Sequence, residues 1–316
     1  MPRMAEGESP RLRKNRSMIF PHEITIERVV AAPGEEIRDN SEIVSHEVIA
    51  ATGIAVRRTT AKTLFELAQS SAIASVGNCA GDISAVVAAT FSNEVRFPSL
   101  AVKVASELGL STSVPAFDLQ MACSAYPYAL LTAAQLAGTT GGKVLVIDGD
   151  VQSRFAREPA TAVVASDACT ASVVSVRPGT SRFAFHSSYG EELKCADHLE
   201  MDGFGVFSFV AKSVRSMTGA LLNEEGELPR WFVPHQANMY MVRQLAKSLR
   251  LGDRLLTSAE KFGNVGSASI ALTLASAHLE GVELCGERVL LAGFGAGLSA
   301  AATFVRVSED FSADII

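Results

Sequence analysis

Two segments, 129–150 (ALLTAAQLAGTTGGKVLVIDGD) and 271–295 (ALTLASAHLEGVELCGERVLLAGFG), follow one plan: an apolar helix-forming stretch, a glycine-containing connection, a basic residue and a buried-strand run reaching glycine. Helix-loop-strand units recur in α/β proteins, so one match suggests a duplication without proving it. If the halves repeat, the loops that start the two helices face each other across a pseudo-twofold axis. A site there draws one residue set from each half.

The remaining pattern agrees with a layered α/β chain. Residues 84–90, 143–149, 170–176, 230–234 and 288–294 are short apolar runs bounded by Gly, Pro or polar residues, as buried strands are. Helical spacing of apolar residues predicts helices near 60–77, 98–108, 124–138, 207–222, 237–249 and 267–281. Strands alternating with helices imply sheets covered on both faces.

Composition narrows the partners. With 316 residues, 48% hydrophobic and 20% charged, the chain buries a large core and is not wholly disordered. A net charge of −6 argues against a nucleic-acid-binding surface spread over the domain. Five cysteines, at 79, 123, 169, 195 and 285, form no CxxC pair, so no zinc knuckle or redox motif is present and a reducing cytoplasm is expected. No apolar run reaches the length of a membrane span, and the basic, polar start lacks the apolar core of a signal peptide. Residues 1–18 read as a disordered tail, 19–176 as an N-terminal half and 177–316 as a C-terminal half.

Four loops carry residues able to do chemistry. In FDLQMACSAYPYALL (117–131), Val114 to Met121 reads as extended and Ser124 to Gly138 as a helix, which puts Cys123 at a helix N-terminus. There the free N–H groups and the positive end of the macrodipole favour a thiolate near neutral pH; the alternative is a small buried hydrophobe. His235 follows a strand and Pro234, Asn264 lies in a glycine-flanked loop, and 293–299 (GFGAGLS) is a glycine-rich turn. Lone His and Asn residues in loops are usually structural. Four such loops at strand or helix ends instead suggest a site, because sites in α/β sheets cluster there.

In order and spacing, TGIAVRRT (52–59), FPSLAVKVASELGL (97–110), FDLQMACSAYPYAL (117–130), MDGFGVFSFVAKSV (201–214), VPHQAN (233–238), FGNVGSAS (262–269) and GFGAGLS (293–299) together resemble the thiolase-like condensing enzymes, and among them β-ketoacyl-acyl-carrier-protein synthase III. The resemblance runs from about Thr52 to the C-terminus. It implies a five-layered αβαβα fold of two similar halves, an obligate homodimer, and a catalytic set of Cys123, His235 and Asn264. It also implies that Phe97 reaches across the dimer to wall the partner's acyl pocket, although a lone Phe is more often an ordinary core residue.

The chemistry implied is transfer of an acyl group from a thioester, on coenzyme A or an acyl carrier protein, to Cys123, followed by decarboxylative Claisen condensation with malonyl carrier protein. The backbone N–H groups of Cys123 and Ala296 serve as an oxyanion hole. His235 and Asn264 hydrogen-bond the enolate, and no metal or redox cofactor is required. An acidic carrier protein calls for a basic patch, for which Arg243, Lys247, Lys212 and Arg215 are the candidates, although most surface cations are merely solvated. Departures from the family pattern are VSHEVIAATGI (44–54), which lacks a tryptophan expected to stack on coenzyme A; SDACTAS (166–172) in place of GDGAGA; Ala296 where glycine is usual; and Tyr240 where arginine is common. They fit a member serving secondary metabolism. Two alternatives stand: acyl transfer to an oxygen or nitrogen nucleophile without decarboxylation, with His235 as base, and a non-catalytic subunit of a heterodimer.

Overall fold

The computed structural model describes residues 17–316, apart from the side chain of Asn78. Residues 1–16 of the expected tail lie outside these, whereas Met18 already belongs to a strand. The first half contains β1 (Met18–Phe20), β2 (Glu23–Pro33), β3 (Glu36–Asp39), α1 (His46–Thr52), β4 (Val56–Thr59), α2 (Leu64–Val76), β5 (Ile83–Ala89) and α3 (Leu100–Glu107). It continues with β6 (Ala116–Leu119), α4 (Ala125–Thr140), β7 (Lys143–Val151), α5 (Pro159–Ala162) and β8 (Asp167–Arg177). The second half contains β9 (Ser181–Ser187), β10 (Leu193–Cys195), β11 (Leu199–Met201), α6 (Gly203–Phe209), α7 (Arg215–Glu225) and β12 (Trp231–Pro234). α8 (Met239–Ser248), α9 (Ala259–Phe262), α10 (Ser269–Leu279), β13 (Arg288–Gly295) and β14 (Ser299–Ile315) complete it.

Strand pairing repeats between the halves. β5 runs parallel to β7, β7 antiparallel to β8, and β8 antiparallel to β2. In the second half β12 runs parallel to β13, β13 antiparallel to β14, and β14 antiparallel to β9. The halves are stitched together at two places: the far end of β14 pairs parallel with β2, and β1 pairs with β9. Hydrogen bonding therefore runs through one ten-stranded sheet, with β12 and β13 branching off at β14, rather than two separate sheets.

The two faces of each strand fix the layers, because successive side chains point opposite ways. Ala85, Val87 and Ala89 of β5 and Val289 and Leu291 of β13 join one central cluster with α4 and α10. Their neighbours Val86 and Ala88 pack outward on α2 and α3, and Leu290 and Ala292 outward on α7 and α8. Helix, sheet, helix, sheet, helix is thus the order, a thiolase-like fold. α10 is buried on every side from Ser269 to Ala277, so its unbroken apolar and small-residue run suits a middle layer and no other.

The expected helices are present with shifted ends. α2 starts at Leu64 because Thr63 and Glu66 form a capping box. The helix expected over 207–222 extends over 203–225 and passes through a π-helical stretch, Val210–Val214, between α6 and α7.

Candidate active site

Each candidate loop is held by the packing of its own sequence. Cys123 sits in a short 3-10 turn, Ala122–Ser124, that runs into α4. Ala122 takes a left-handed conformation, φ +43°, which costs a non-glycine residue roughly 1 kcal/mol and turns the chain sharply between β6 and α4. β13 presses its small residues against this corner. A Cβ on Gly293 would lie 2.9 Å from the Ser124 carbonyl oxygen, and one on Gly295 would lie 2.7 Å from Cys123 Cβ. The alternate glycines of GFG are what allow the strand and the Cys123 turn to touch. Ala296 has no positive φ; that falls on Gly297, φ +133°, so alanine is unstrained at 296.

His235 extends the β12–β13 pairing through its N–H to the Ala292 carbonyl, 2.8 Å. Its ring is buried edge-on to Phe294, and its Nδ1 lies 2.8 Å from Ser269 Oγ. Burial pushes the imidazole down to about 3, against a smaller opposing pull from the Gly266 carbonyl, so His235 is neutral at physiological pH.

Asn264 follows Gly263, whose φ of +71° and close approach to Ser166 Oγ require glycine. Asn264 N–H donates to the Val164 carbonyl at 2.9 Å, and its own carbonyl accepts from Ser166 N–H and Gln152 Nε2, both at 2.8 Å. These bonds come from the first half and hold a residue of the second. Asn264 Oδ1 accepts the Gly266 N–H at 3.0 Å, which leaves the Nδ2 donors to face the cavity.

Cys123, His235 and Asn264 line one cavity of about 1090 Å³, together with Ala296 and apolar side chains such as Met121, Phe155 and Leu298. The turns before α4 and α10 are the two halves' equivalent loops. Cys123 is the middle residue of the turn before α4 and Asn264 lies just ahead of the turn before α10, so the two come from equivalent loops at different positions.

The electrostatics of the sulfur reverse the sequence expectation. Burial, with the Asp150 and Asp148 carboxyls behind it, pushes the Cys123 thiol up to about 12, so the resting group is a thiol and not a helix-end thiolate. Both acids face the central layer from β7. Asp150 accepts from Thr90 Oγ1 (2.9 Å), Phe91 N–H (2.9 Å), Ser92 Oγ (3.1 Å) and Ser267 Oγ (2.7 Å), clamping β7 to the turn before α10. Among the described residues, Asp148 has no hydrogen-bond partner on either oxygen. Desolvation raises both carboxyls, and at Asp150 the hydrogen bonds from Ser267, Phe91 and Thr90 oppose the rise. Asp150 carries no sequence signal beyond an acid closing the apolar run VLVIDGD, and Ser269 none beyond its place in FGNVGSAS.

The residues expected to wall the partner's pocket or bind the carrier protein lie elsewhere. Phe97 is 87% exposed and does not line the cavity of its own chain. Lys212, Arg215, Arg243 and Lys247 are exposed on two adjoining elements, the π-helical stretch with the start of α7, and α8. Arg243 is paired with Glu260 at 2.6 Å. Tyr240 stacks on Phe207, centroids 5.8 Å apart. Among the described residues, no group of three or more His, Cys, Asp or Glu is placed to hold a metal ion, and no helix is long and apolar enough to cross a membrane.

Comparison with known proteins agrees with this architecture. Residues 117–190 match the family described as 3-oxoacyl-[acyl-carrier-protein] synthase III, and 227–307 match that family's C-terminal domain. The chain is 30% identical over 279 residues to a β-ketoacyl-[acyl-carrier-protein] synthase III of Neisseria meningitidis, covering 80% of this chain and 87% of that one. Among solved structures, a 3-oxoacyl-(acyl-carrier protein) synthase of Burkholderia xenovorans superposes with TM-score 0.87 at 25% identity, over 95% of this chain and 99% of that one. The priming β-ketosynthase of the R1128 polyketide pathway superposes with TM-score 0.84 at 26% identity, over 95% and 99%. The chain therefore belongs to the 3-oxoacyl-[acyl-carrier-protein] synthase III family of thiolase-fold condensing enzymes, acyltransferases by class.

Proposed function

We propose that the chain condenses an acyl group with a malonyl thioester, with Cys123 as acyl carrier and His235 and Asn264 as donors to the enolate. Cys123 sulfur attacks the thioester carbonyl, the C–S bond to the donor breaks, and the thiol proton ends on the departing thiol. Backbone N–H groups of Cys123 and Ala296 receive the oxyanion, each worth about 3 kcal/mol if well aimed. The malonyl thioester then loses carbon dioxide, and its C–C bonding pair becomes an enolate. Its oxygen accepts from a ring N–H of His235 and from Asn264 Nδ2. The enolate carbon attacks acyl-Cys123, the tetrahedral intermediate collapses, and the Cys123 thiolate leaves and takes a proton from solvent.

The observation that carries this reading is the polarity of Asn264. Its Oδ1 is engaged by Gly266 N–H, so the group it offers the cavity is a donor, as an enolate oxygen needs. A second reading is acyl transfer to an oxygen or nitrogen nucleophile with His235 as base, which requires the opposite tautomer, Nδ1–H donating to Ser269 Oγ at 2.8 Å with Nε2 bare.

The donor is an acyl thioester of coenzyme A or a carrier protein, and the acceptor a malonyl carrier protein docking on Arg243, Lys247, Lys212 and Arg215. Phe97, exposed here, completes the pocket of a second copy in a homodimer. A cytoplasmic setting suits the five unpaired cysteines. Incubation with acyl thioesters and malonyl carrier protein, read by intact mass and carbon dioxide release, tests the reading. An adduct on the Cys123 peptide with carbon dioxide release supports condensation, an adduct without release supports simple transfer, and no adduct points to a non-catalytic subunit.

A further inference from the structure

We infer that Ser269 is a positioning residue that holds His235 in the tautomer protonated at Nε2. The inference rests on the condensation reading for its kinetic consequence but not for its geometry. Ser269 is wholly buried at the start of α10, and its Oγ lies 2.8 Å from His235 Nδ1. The same oxygen accepts, at 3.4 Å, the backbone N–H of Gln236, the residue after the histidine. An oxygen that already receives one proton is disposed to give its own, and the nearest ring acceptor is Nδ1. A neutral imidazole that accepts at Nδ1 carries its single proton on Nε2.

The turn that supplies Ser269 also supplies Gly266 N–H, which fixes Asn264 Oδ1. One stretch, 264–269, thereby sets the polarity of both side chains, and each presents a donor to the cavity. Without the Ser269 hydroxyl, Nδ1 loses the donor that keeps it bare, and the ring is free to present a lone pair at Nε2 where the enolate oxygen forms.

The test combines two measurements on the full chain. Nitrogen-15 NMR of histidine-labelled protein, with the His235 signals assigned by their loss in His235→Asn, is expected to show a protonated Nε2 and a bare Nδ1. A proton on Nδ1 in the wild type overturns the inference, and this holds whether or not the protein releases carbon dioxide. In Ser269→Ala, Nδ1 is expected to gain proton occupancy, and decarboxylation of malonyl carrier protein to fall about tenfold while acyl-adduct formation changes less than about twofold. An unchanged tautomer, or equal loss of both steps, contradicts it. Absence of carbon dioxide release in the wild type would instead count against the condensation reading alone.

Discussion

At the residue scale the sulfur and the two buried acids behave as their surroundings dictate. The sequence places Cys123 beside a helix start, which favours a thiolate; the acids that oppose it sit on β7, more than twenty positions along the chain, and no local reading brings them behind the sulfur. Deprotonation is the costly step, so alkylation of Cys123 by iodoacetamide is expected to quicken about tenfold per pH unit from pH 6 to 9. Levelling off near pH 7 would restore the helix-end thiolate. Asp148 makes a second test. Its folded-state pKa is raised, so the stability it permits is present below the unfolded value near 3.8 and is lost as pH rises through the folded value. Asp148→Asn should therefore stabilise the protein by about 1–3 kcal/mol at pH 7, with a gap that widens as pH rises from 4 to 7 in urea titrations. A gap independent of pH would contradict the burial of an unpartnered carboxyl there.

At the scale of elements, what the sequence makes legible is what local pattern controls. The apolar runs at β5, β7, β8, β12 and β13 stand out because both faces of those strands are buried. β14 does not. It opens on Ser299, Ala300, Ala301 and Ala302, residues of weak strand preference, and is interrupted at a bulge carrying exposed Glu309 and Asp310. Its small residues are selected by close packing near the Cys123 turn, a tertiary demand. Glycine positions can be separated on the same grounds. Gly263→Ala brings positive φ together with a collision on Ser166, whereas Gly141→Ala, φ +75° with open space around it, brings strain alone. Denaturant midpoints should show a loss of about 1 kcal/mol for Gly141→Ala and at least about 2 kcal/mol for Gly263→Ala. Equal losses would mean that the loop before Asn264 yields freely.

At the scale of the molecule, duplication turns two loops into one site. The repeat is legible in 129–150 and 271–295, and the order of the motifs gives Cys123, His235 and Asn264. The stitching of the halves by β1 and β14 is not legible, because it depends on strand ends meeting across the whole chain. Nor are the bonds by which Gln152 and Ser166 of the first half hold Asn264 of the second. On the proposed mechanism the nucleophile comes from one half and the enolate donors from the other, while the oxyanion donors, Cys123 and Ala296, come one from each. The most direct measurement is the split between half-reactions in Asn264→Ala, following acyl-adduct mass and carbon dioxide release in the same sample. Adduct formation within about twofold of wild type and carbon dioxide release lowered roughly 100-fold is the predicted result; parallel loss of both would contradict the division.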